Sequence, residues 1–343
     1  MENNNPDSLT DMRIVFMGTP DFAVESLRRL VEAGCNVVGV VTMPDKAIGR
    51  HHDTLQPSPV KQYAVANGIP VLQPERLRDE TFLAQLRDLR ADLQVVVAFR
   101  MLPEVVWAMP PLGTFNLHAA LLPQYRGAAP INWAVINGDT QTGVTTFFLD
   151  HDIDTGRIIH RVPVEIGLRD TAGDIHDRLM DIGADLVVKT VRDIAAGSIA
   201  TMAQDELTDA DGCGPLRPAP KLFRENTELM WSRHTAMSAY NFVRGLSPYP
   251  AAWTTLRSAD GRQTQLKIFF AEVADTNTDG TRHTDGAVPC DVPLRIDGGR
   301  LLVDMAGGTL SLTDIQLAGK RRMKAAEFLR GAHLDGAVFT ETH

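Results

Sequence analysis

The sequence predicts an α/β unit built on a largely parallel sheet, followed by a small all-β barrel or sandwich. Three observations carry this. Over roughly the first 200 residues, apolar strand-like runs alternate with amphipathic helical stretches, the order of βαβ units covered by helices on both faces. From about Gly197 to Pro220 the composition turns to acids, glycines and prolines (DELTDADGCGPLRPAP), the character of a linker. Beyond it, short alternating runs are separated by Gly, Asp and Asn turns, five or six strands in about 100 residues.

Residues 13–17 (RIVFM) form a short apolar run of buried-strand type, and Gly18 permits the turn after it. Thr19 reads as an N-cap with Pro20 at the first helical position. Ala23, Leu27, Leu30 and Val31 make the stripe of an amphipathic helix that Gly34 ends. A strand at 37–41 precedes a polar, flexible stretch at 44–56. Ser58-Pro59 opens another helix, and residues 81–89 form one more. Residues 93–99 (LQVVVAF) are the most strand-like run, followed by a short helix at 104–109 and a strand at 113–118. Residues 127–137 read as helix, 144–149 and 157–164 as strands, and 171 to about 195 as a long helix. After the linker, a helix near 234–245 leads into strands at 252–256, 266–273, 294–296, 300–305 and 309–312, with a mobile loop expected at 275–285. The expected organisation is a polar extension (1–11), a sheet unit (12–197), a linker (198–220) and a barrel unit (221–343).

Composition narrows the function classes. A chain of 343 residues suggests about two domains, and 44% hydrophobic with 22% charged residues is ordinary for a soluble protein. Cys35, Cys213 and Cys290 lie far apart with no CxxC, which fits a reducing compartment. The start MENNNPDSLTD lacks the basic-then-apolar order of a signal peptide, and no apolar run approaches the roughly 20 residues that span a bilayer. A cytoplasmic protein is expected. The net charge of −9 excludes a surface that is basic all over but leaves room for a local basic patch. The turn MGTPDF has one glycine, so the dinucleotide-binding fingerprint is absent, and there is no P-loop, HExxH or GxSxG. Catalysis would then use Asn, His and carboxylate, with no metal.

The stretch FNLHAALLPQYRGAAPI (115–131) supplies the first two groups. Asn116 and His118 stand at i and i+2, so on a strand they share a face. They fall at its carboxyl end, where open α/β sheets bind ligands. Alone, an Asn-x-His is most simply a polar pair capping a strand. A carboxylate comes from LDHDIDTGR (149–157), with Asp150, Asp152 and Asp154. A Ca²⁺ loop of EF-hand type is excluded, because its required glycine and glutamate positions hold Thr155 and Arg161. Alone, this is an acidic surface turn.

Together these motifs closely resemble the 10-formyltetrahydrofolate-dependent formyltransferases, in the branch whose acceptor is aminoacylated transfer RNA. VFMGTPDFA near the start, SPVKQYA (58–64), VVVAFRMLP (95–103), GLSPYPAAW (245–253) and IQLAGKRRM fall in the family's order, and the likeness runs from Met12 over essentially the whole chain. The resemblance implies a Rossmann-like, mostly parallel sheet domain of the formyltransferase fold, followed by an OB-like barrel. It implies 10-formyltetrahydrofolate as formyl donor, the α-amine of methionine on initiator tRNA as acceptor, a monomer, and Asn116, His118 and Asp154 as the catalytic trio. An Asn116 N–H stabilising the oxyanion would contribute roughly 3–4 kcal/mol. His118 would bond that oxygen as imidazolium or move the amine's proton. Asp154 would orient the imidazole and raise its pKa. Folate contacts are implied at Phe99, Arg100, Met101, Leu102, Leu121, Leu122, Pro123, Gln124 and Asp150. Phosphate contacts require cations, offered by Lys46 and Arg50 with His51 and His52, and by Lys320, Arg321, Arg322 and Lys324. The chain departs from the family at Gly49-Arg50-His51-His52-Asp53, where GRGKK is common, at Ala120 for Ser, and at Gln124 for a basic residue. Three alternatives stay open: a sugar-amine N-formyltransferase, a folate hydrolase or dehydrogenase module, and a non-catalytic RNA-binding protein.

Overall fold

Residues 9–48, 54–207, 215–275, 291–332 and 334–341 are described by a computed structural model. In chain order the first unit contains β1 (Arg13–Gly18), α1 (Asp21–Glu32), β2 (Asn36–Val41), β3 (Lys46–Ile48), β4 (Thr54–Gln56), α2 (Pro59–Ala66) and β5 (Val71–Leu72). Next come α3 (Glu80–Asp88), β6 (Leu93–Val97), α4 (Glu104–Trp107), β7 (Thr114–His118), α5 (Pro130–Ile136, which from Ile131 belongs to the second unit), β8 (Gln141–Phe148), β9 (Ile158–Glu165) and α6 (Ala172–Ala195, whose first turn to Ile175 also does). Seven of these strands make one sheet in the order β5-β2-β1-β6-β7-β8-β9. The pairings from β5 across to β7 are parallel, and β8 joins β7 antiparallel. The winding starts at β1, runs outward to β5, then returns to the other side of β1 at β6. In open α/β sheets such a reversal is where ligands bind, here the carboxyl ends of β1 and β6.

Local sequence explains most of these elements. Ala23, Leu27 and Leu30 are fully buried on α1, and Gly34 ends that helix in a left-handed turn (φ +76°). The Ser58 hydroxyl accepts the Lys61 N–H at 3.1 Å and caps α2. The cap of α1, however, is Pro20 and not Thr19. The Pro20 carbonyl accepts the Ala23 N–H at 2.9 Å, and Asp21 supplies an acid to the first turn, so the helix starts one residue later than expected. The Thr19 hydroxyl is left buried without a partner among the described residues. β6 stops two residues early because Ala98 is left-handed (φ +47°). The polar stretch expected to be irregular contains an antiparallel pair, Lys46 opposite Gln56 and Ala47 opposite Leu55. Val15, Met17, Val41, Phe82, Leu86 and Val96 form a buried cluster in this unit.

Residues 198–207 and 215–219 belong to this unit and are bonded into it. Met202 and Ile158 exchange backbone hydrogen bonds at 2.8 and 2.9 Å. The Ala219 N–H donates to the Arg126 carbonyl at 2.9 Å, and its carbonyl accepts from Ala128 at 2.7 Å. What composition presents as a linker is, on both sides of 208–214, fixed backbone.

The second unit comprises Ile131–Gln141, Ile166–Ile175 and Pro220–His343. After α7 (Ala236–Leu246) come β10 (Ala252–Arg257), β11 (Gln263–Asp275), β12 (Asp291–Pro293), β13 (Arg295–Asp297) and β14 (Arg300–Met305). β15 (Gly308–Leu317), β16 (Met323–Lys324), α8 (Ala325–Leu329) and β17 (Val338–Thr340) complete it. The antiparallel order is β12-β17-β10-β11-β15-β14-β13, with β16 on β15. β12 comes against β14, so the sheet curls into a nearly closed barrel. Ala252, Thr254 and Leu256 alternate inward along β10, toward a core with Phe242 and Leu246 of α7 and Trp231 stacked on Phe339. The strands that sequence reading misses, β12, β16 and β17, are two or three residues long and too short to show alternation. Most of the loop expected at 275–285 lies outside the described residues, as do Cys213 and Cys290. Among the described residues, no helix is long and apolar enough to cross a membrane.

Candidate active site

β7 delivers Asn116 and His118 to the carboxyl end of the parallel sheet, between Val96 of β6, opposite Asn116, and Thr145 of β8, opposite His118. The His118 ring is 6% exposed, and its Nε2 lies 2.8 Å from the Tyr125 carbonyl. A carbonyl oxygen can only accept, so Nε2 carries the proton and the bare nitrogen of the neutral ring is Nδ1. Nδ1 stands 3.8 Å from Asp154 Oδ2. That carboxylate oxygen in turn accepts the Gly127 N–H at 2.9 Å. Asn116 is half-buried, and no group among the described residues hydrogen-bonds its amide. Its N–H is therefore available to charge that develops nearby.

The backbone here is strained. Ala98, Tyr125 and Asp154 all take left-handed conformations, with φ of +47°, +60° and +56°. Non-glycine residues held there cost of order 1–3 kcal/mol each, and such residues gather at functional sites. Tyr125 turns its carbonyl to His118 from this conformation, and Asp154 presents its carboxylate from the same one.

Electrostatics revise one expectation. Burial pushes the His118 pKa below its ordinary value; Asp154 and the Tyr125 carbonyl oppose this but do not outweigh it. Asp154 favours the charged ring, as expected, yet the net direction is down. Stripping water from an imidazolium outweighs a carboxylate 3.8 Å away that makes no direct hydrogen bond to it. This has a stability consequence. A histidine with a depressed folded pKa gives its full contribution above the unfolded value of about 6.5. The contribution is lost as pH falls through the folded pKa, because the unfolded chain takes the proton first. Melting midpoints should thus fall more steeply below about pH 6.5 in the wild type than in His118→Gln. Parallel pH profiles of the two proteins would contradict this.

The remaining sequence-indicated positions divide by environment. Phe99 and Leu121 are partly exposed and Met101 is 72% exposed, so all three can offer apolar surface to a ligand. Arg100 lies 5.7 Å from the Phe99 ring centroid and donates to the Pro74 and Glu75 carbonyls, which fixes it as a brace. Leu102 packs in the core with Val106, and Leu122 is fully buried with Phe147 and Ile158. Pro123 is buried. The Gln124 amide holds the returning segment, donating to the Pro215 carbonyl at 3.0 Å and accepting from the Arg217 N–H at 2.9 Å. Asp150 is exposed and accepts the His151 N–H at 2.7 Å. Sequence reasoning missed Tyr125 and Gly127. They act through main-chain groups, which leave no signal in residue type.

Among the cations, Lys46 is exposed on β3, while Arg50, His51 and His52 lie outside the described residues. In the barrel, Arg322 makes a bidentate pair with Asp314 at 2.9 and 2.7 Å and lies 4.3 Å over the Phe269 ring. Arg322 holds the Asp314 carboxyl below its usual range. Lys324 approaches the same carboxylate at 3.4 Å, and Arg321 pairs with Glu327. Lys320 is exposed with no carboxylate partner among the described residues. Two acids thus offset part of a cluster that sequence alone shows as uniformly basic.

Comparison with known proteins adds to this geometry. Residues 12–191 match the formyl transferase family, and residues 221–333 match the formyl transferase C-terminal domain. A protein of Parabacteroides distasonis named methionyl-tRNA formyltransferase is 58% identical over 325 residues, 94% of this chain and 96% of that one. One of the same name from Bacteroides thetaiotaomicron is 53% identical over 333 residues, 94% of this chain and 97% of that one. Among solved structures, WlaRD, a sugar 3N-formyl transferase solved in the presence of dTDP and 5-N-formyl-THF, aligns with a TM-score of 0.60 at 17% identity, covering 90% of this chain and 99% of that one. HypX from Aquifex aeolicus, in complex with tetrahydrofolic acid, aligns at 0.58 and 15% identity, over 93% of this chain and 47% of that one. At such identities the structural likeness is one of fold.

Proposed function

The chain belongs to the formyl transferase family, and from that premise we propose that it transfers a formyl group from 10-formyltetrahydrofolate to the α-amine of methionyl-tRNA. Near full-length likeness to proteins named for this acceptor carries the reading. The site supplies groups that suit the chemistry. An α-amine has a pKa of roughly 8 and is partly neutral at pH 7, so it needs little activation. Its lone pair attacks the formyl carbon, the carbonyl electrons move onto oxygen, and a tetrahedral oxyanion forms. The free Asn116 N–H stabilises that oxygen. The proton lost by the attacking nitrogen goes to His118 Nδ1, the bare nitrogen of a ring that burial keeps neutral. Asp154 stabilises the imidazolium while it exists, since its carboxylate faces that nitrogen. The bond from carbon to N10 then breaks, N10 takes the proton, and tetrahydrofolate and N-formylmethionyl-tRNA result.

Phe99, Met101 and Leu121 line the donor's flat ring system in this reading, with backbone from residues 99–102 and 121–124 and the loop of Asp150 as its polar contacts. Arg100, Leu102, Leu122 and Pro123 support that wall from behind. All three reacting-group side chains come from one unit of one chain, which suits a monomer, and an acceptor of this kind suits a reaction in the cytoplasm. The tRNA is held through Lys46, Arg50, His51 and His52 and through the barrel cluster.

The cluster's residues divide by role. Lys320→Ala should weaken tRNA binding and reduce the salt slope of log affinity by about one. Arg322→Ala should chiefly lower the barrel's melting midpoint, because it strips Asp314, 12% exposed, of its bidentate partner. A titration at two salt concentrations beside thermal melts separates them, and equal salt slopes for both variants and the wild type would remove the cluster from the tRNA site. The reaction itself is tested by incubation with 10-formyltetrahydrofolate and charged initiator tRNA, following N-formylmethionine after deacylation. Formylation of a nucleotide-linked sugar amine but not of methionyl-tRNA would overturn the acceptor assignment.

A further inference from the structure

Gln204 lies where composition indicates only a linker, and its side chain is 5% exposed. Its Nε2 donates to the carbonyls of Asp154 at 2.8 Å and Gly156 at 2.9 Å. Its Oε1 accepts from Arg126 Nε at 3.0 Å and Nη2 at 2.6 Å. An amide has two donor hydrogens and two acceptor lone pairs, so the side chain is fully used. Its orientation is settled by its partners, since carbonyls only accept and a guanidinium only donates.

Those partners are not arbitrary. Arg126 sits between Tyr125, whose carbonyl fixes the His118 ring, and Gly127, whose N–H fixes the Asp154 carboxylate. Asp154 itself is left-handed, so its backbone needs an external hold. We infer that Gln204 is a positioning residue for the transfer reaction, tying the 125–127 loop to the 154–156 loop and so setting the separation of His118 Nδ1 and Asp154 Oδ2. Without it, nothing else among the described side chains bonds the backbone carbonyl of Asp154. The inference rests on the assignment of His118 and Asp154 made above.

The test uses the full-length protein. Gln204→Ala should lower kcat by tens-fold, less than the roughly hundredfold that a full ångström of misplacement can cost, with both KM values within about twofold. In an Asp154→Asn background the same change should alter kcat by less than about threefold, because the contact acts through the group already removed. Independently of activity, the 15N resonance of His118 Nδ1 at neutral pH should shift in Gln204→Ala in the direction seen in Asp154→Asn. Gln204→Glu keeps the volume and the Arg126 pair but sets an oxygen against two carbonyls, so it should behave like Gln204→Ala and serves if the alanine variant does not fold. An unmoved His118 resonance in a folded variant, or a loss of kcat that multiplies with that of Asp154→Asn, would overturn the inference. A wild-type protein that does not formylate methionyl-tRNA would instead overturn the functional reading, and the resonance would still decide the role of Gln204.

Discussion

His118→Ala should fold and keep its affinity for the folate donor while kcat falls by at least about a hundredfold, the scale of losing a positioned proton acceptor. Asn116→Ala should lose as much for a different reason, the missing oxyanion donor. The two can be told apart. No described residue hydrogen-bonds the Asn116 side-chain amide, so its removal should leave the melting midpoint nearly unchanged. His118 fills a buried place against Tyr125 and Phe147, so its truncation should lower the midpoint as well as the rate. Asp154→Ala should match His118→Ala in rate, since both act on one proton. Steady-state kinetics, donor binding and thermal melts on the three variants check this. Near-normal turnover in folded His118→Ala would end the proposed mechanism.

The second large effect is expected at a glycine. A Cβ on Gly156 would fall 1.7 Å from the Phe148 carbonyl oxygen and 2.9 Å from its carbon. Backbone cannot yield by that amount while Phe148 keeps its N–H bonded to the Arg157 carbonyl at 3.0 Å. Gly156→Ala must therefore lift the loop that carries Asp154. We expect a loss of about 3 kcal/mol, the upper end of ordinary overpacking, lowering the melting midpoint by about 6–12 °C. We expect kcat to drop by at least about a hundredfold, from the displacement of Asp154. Gly331→Ala is the control, since nothing lies within 4 Å of its Cβ position and surface changes rarely exceed about 0.5 kcal/mol. Normal activity in Gly156→Ala would show that the 154–156 loop tolerates movement.

What could be read from the sequence follows the range of the forces involved. Strands such as β1 and β6 announce themselves because their burial is written in consecutive apolar residues. Asn116 and His118 were legible because a period of two puts them on one face. The cap of α1 lies one residue beyond Thr19, because a Thr-Pro pair suits an N-cap and first turn locally while the backbone geometry starts the helix after Pro20. The direction of the His118 shift needed three dimensions: sequence supplies the carboxylate, while burial comes from strands on both sides. Gln204 was illegible for a related reason. It contacts residues 50 and 78 positions away through one amide, and no periodicity records such a contact. Its acid-, glycine- and proline-rich surroundings point only to a connector.

The returning segment also matters to the order in which the enzyme becomes competent during synthesis. A chain emerging from its amino end contains every strand of the seven-stranded sheet by Glu165 and the long helix by Ala195. The backbone of residues 125–129 and the turn around Asp154 then still lack Gln204, Arg217 and Ala219, to which they bond. The nascent protein thus has its scaffold before it has its reactive geometry. A product released near residue 200 should lack these bonds and be idle, and activity is expected only in products that extend beyond Ala219.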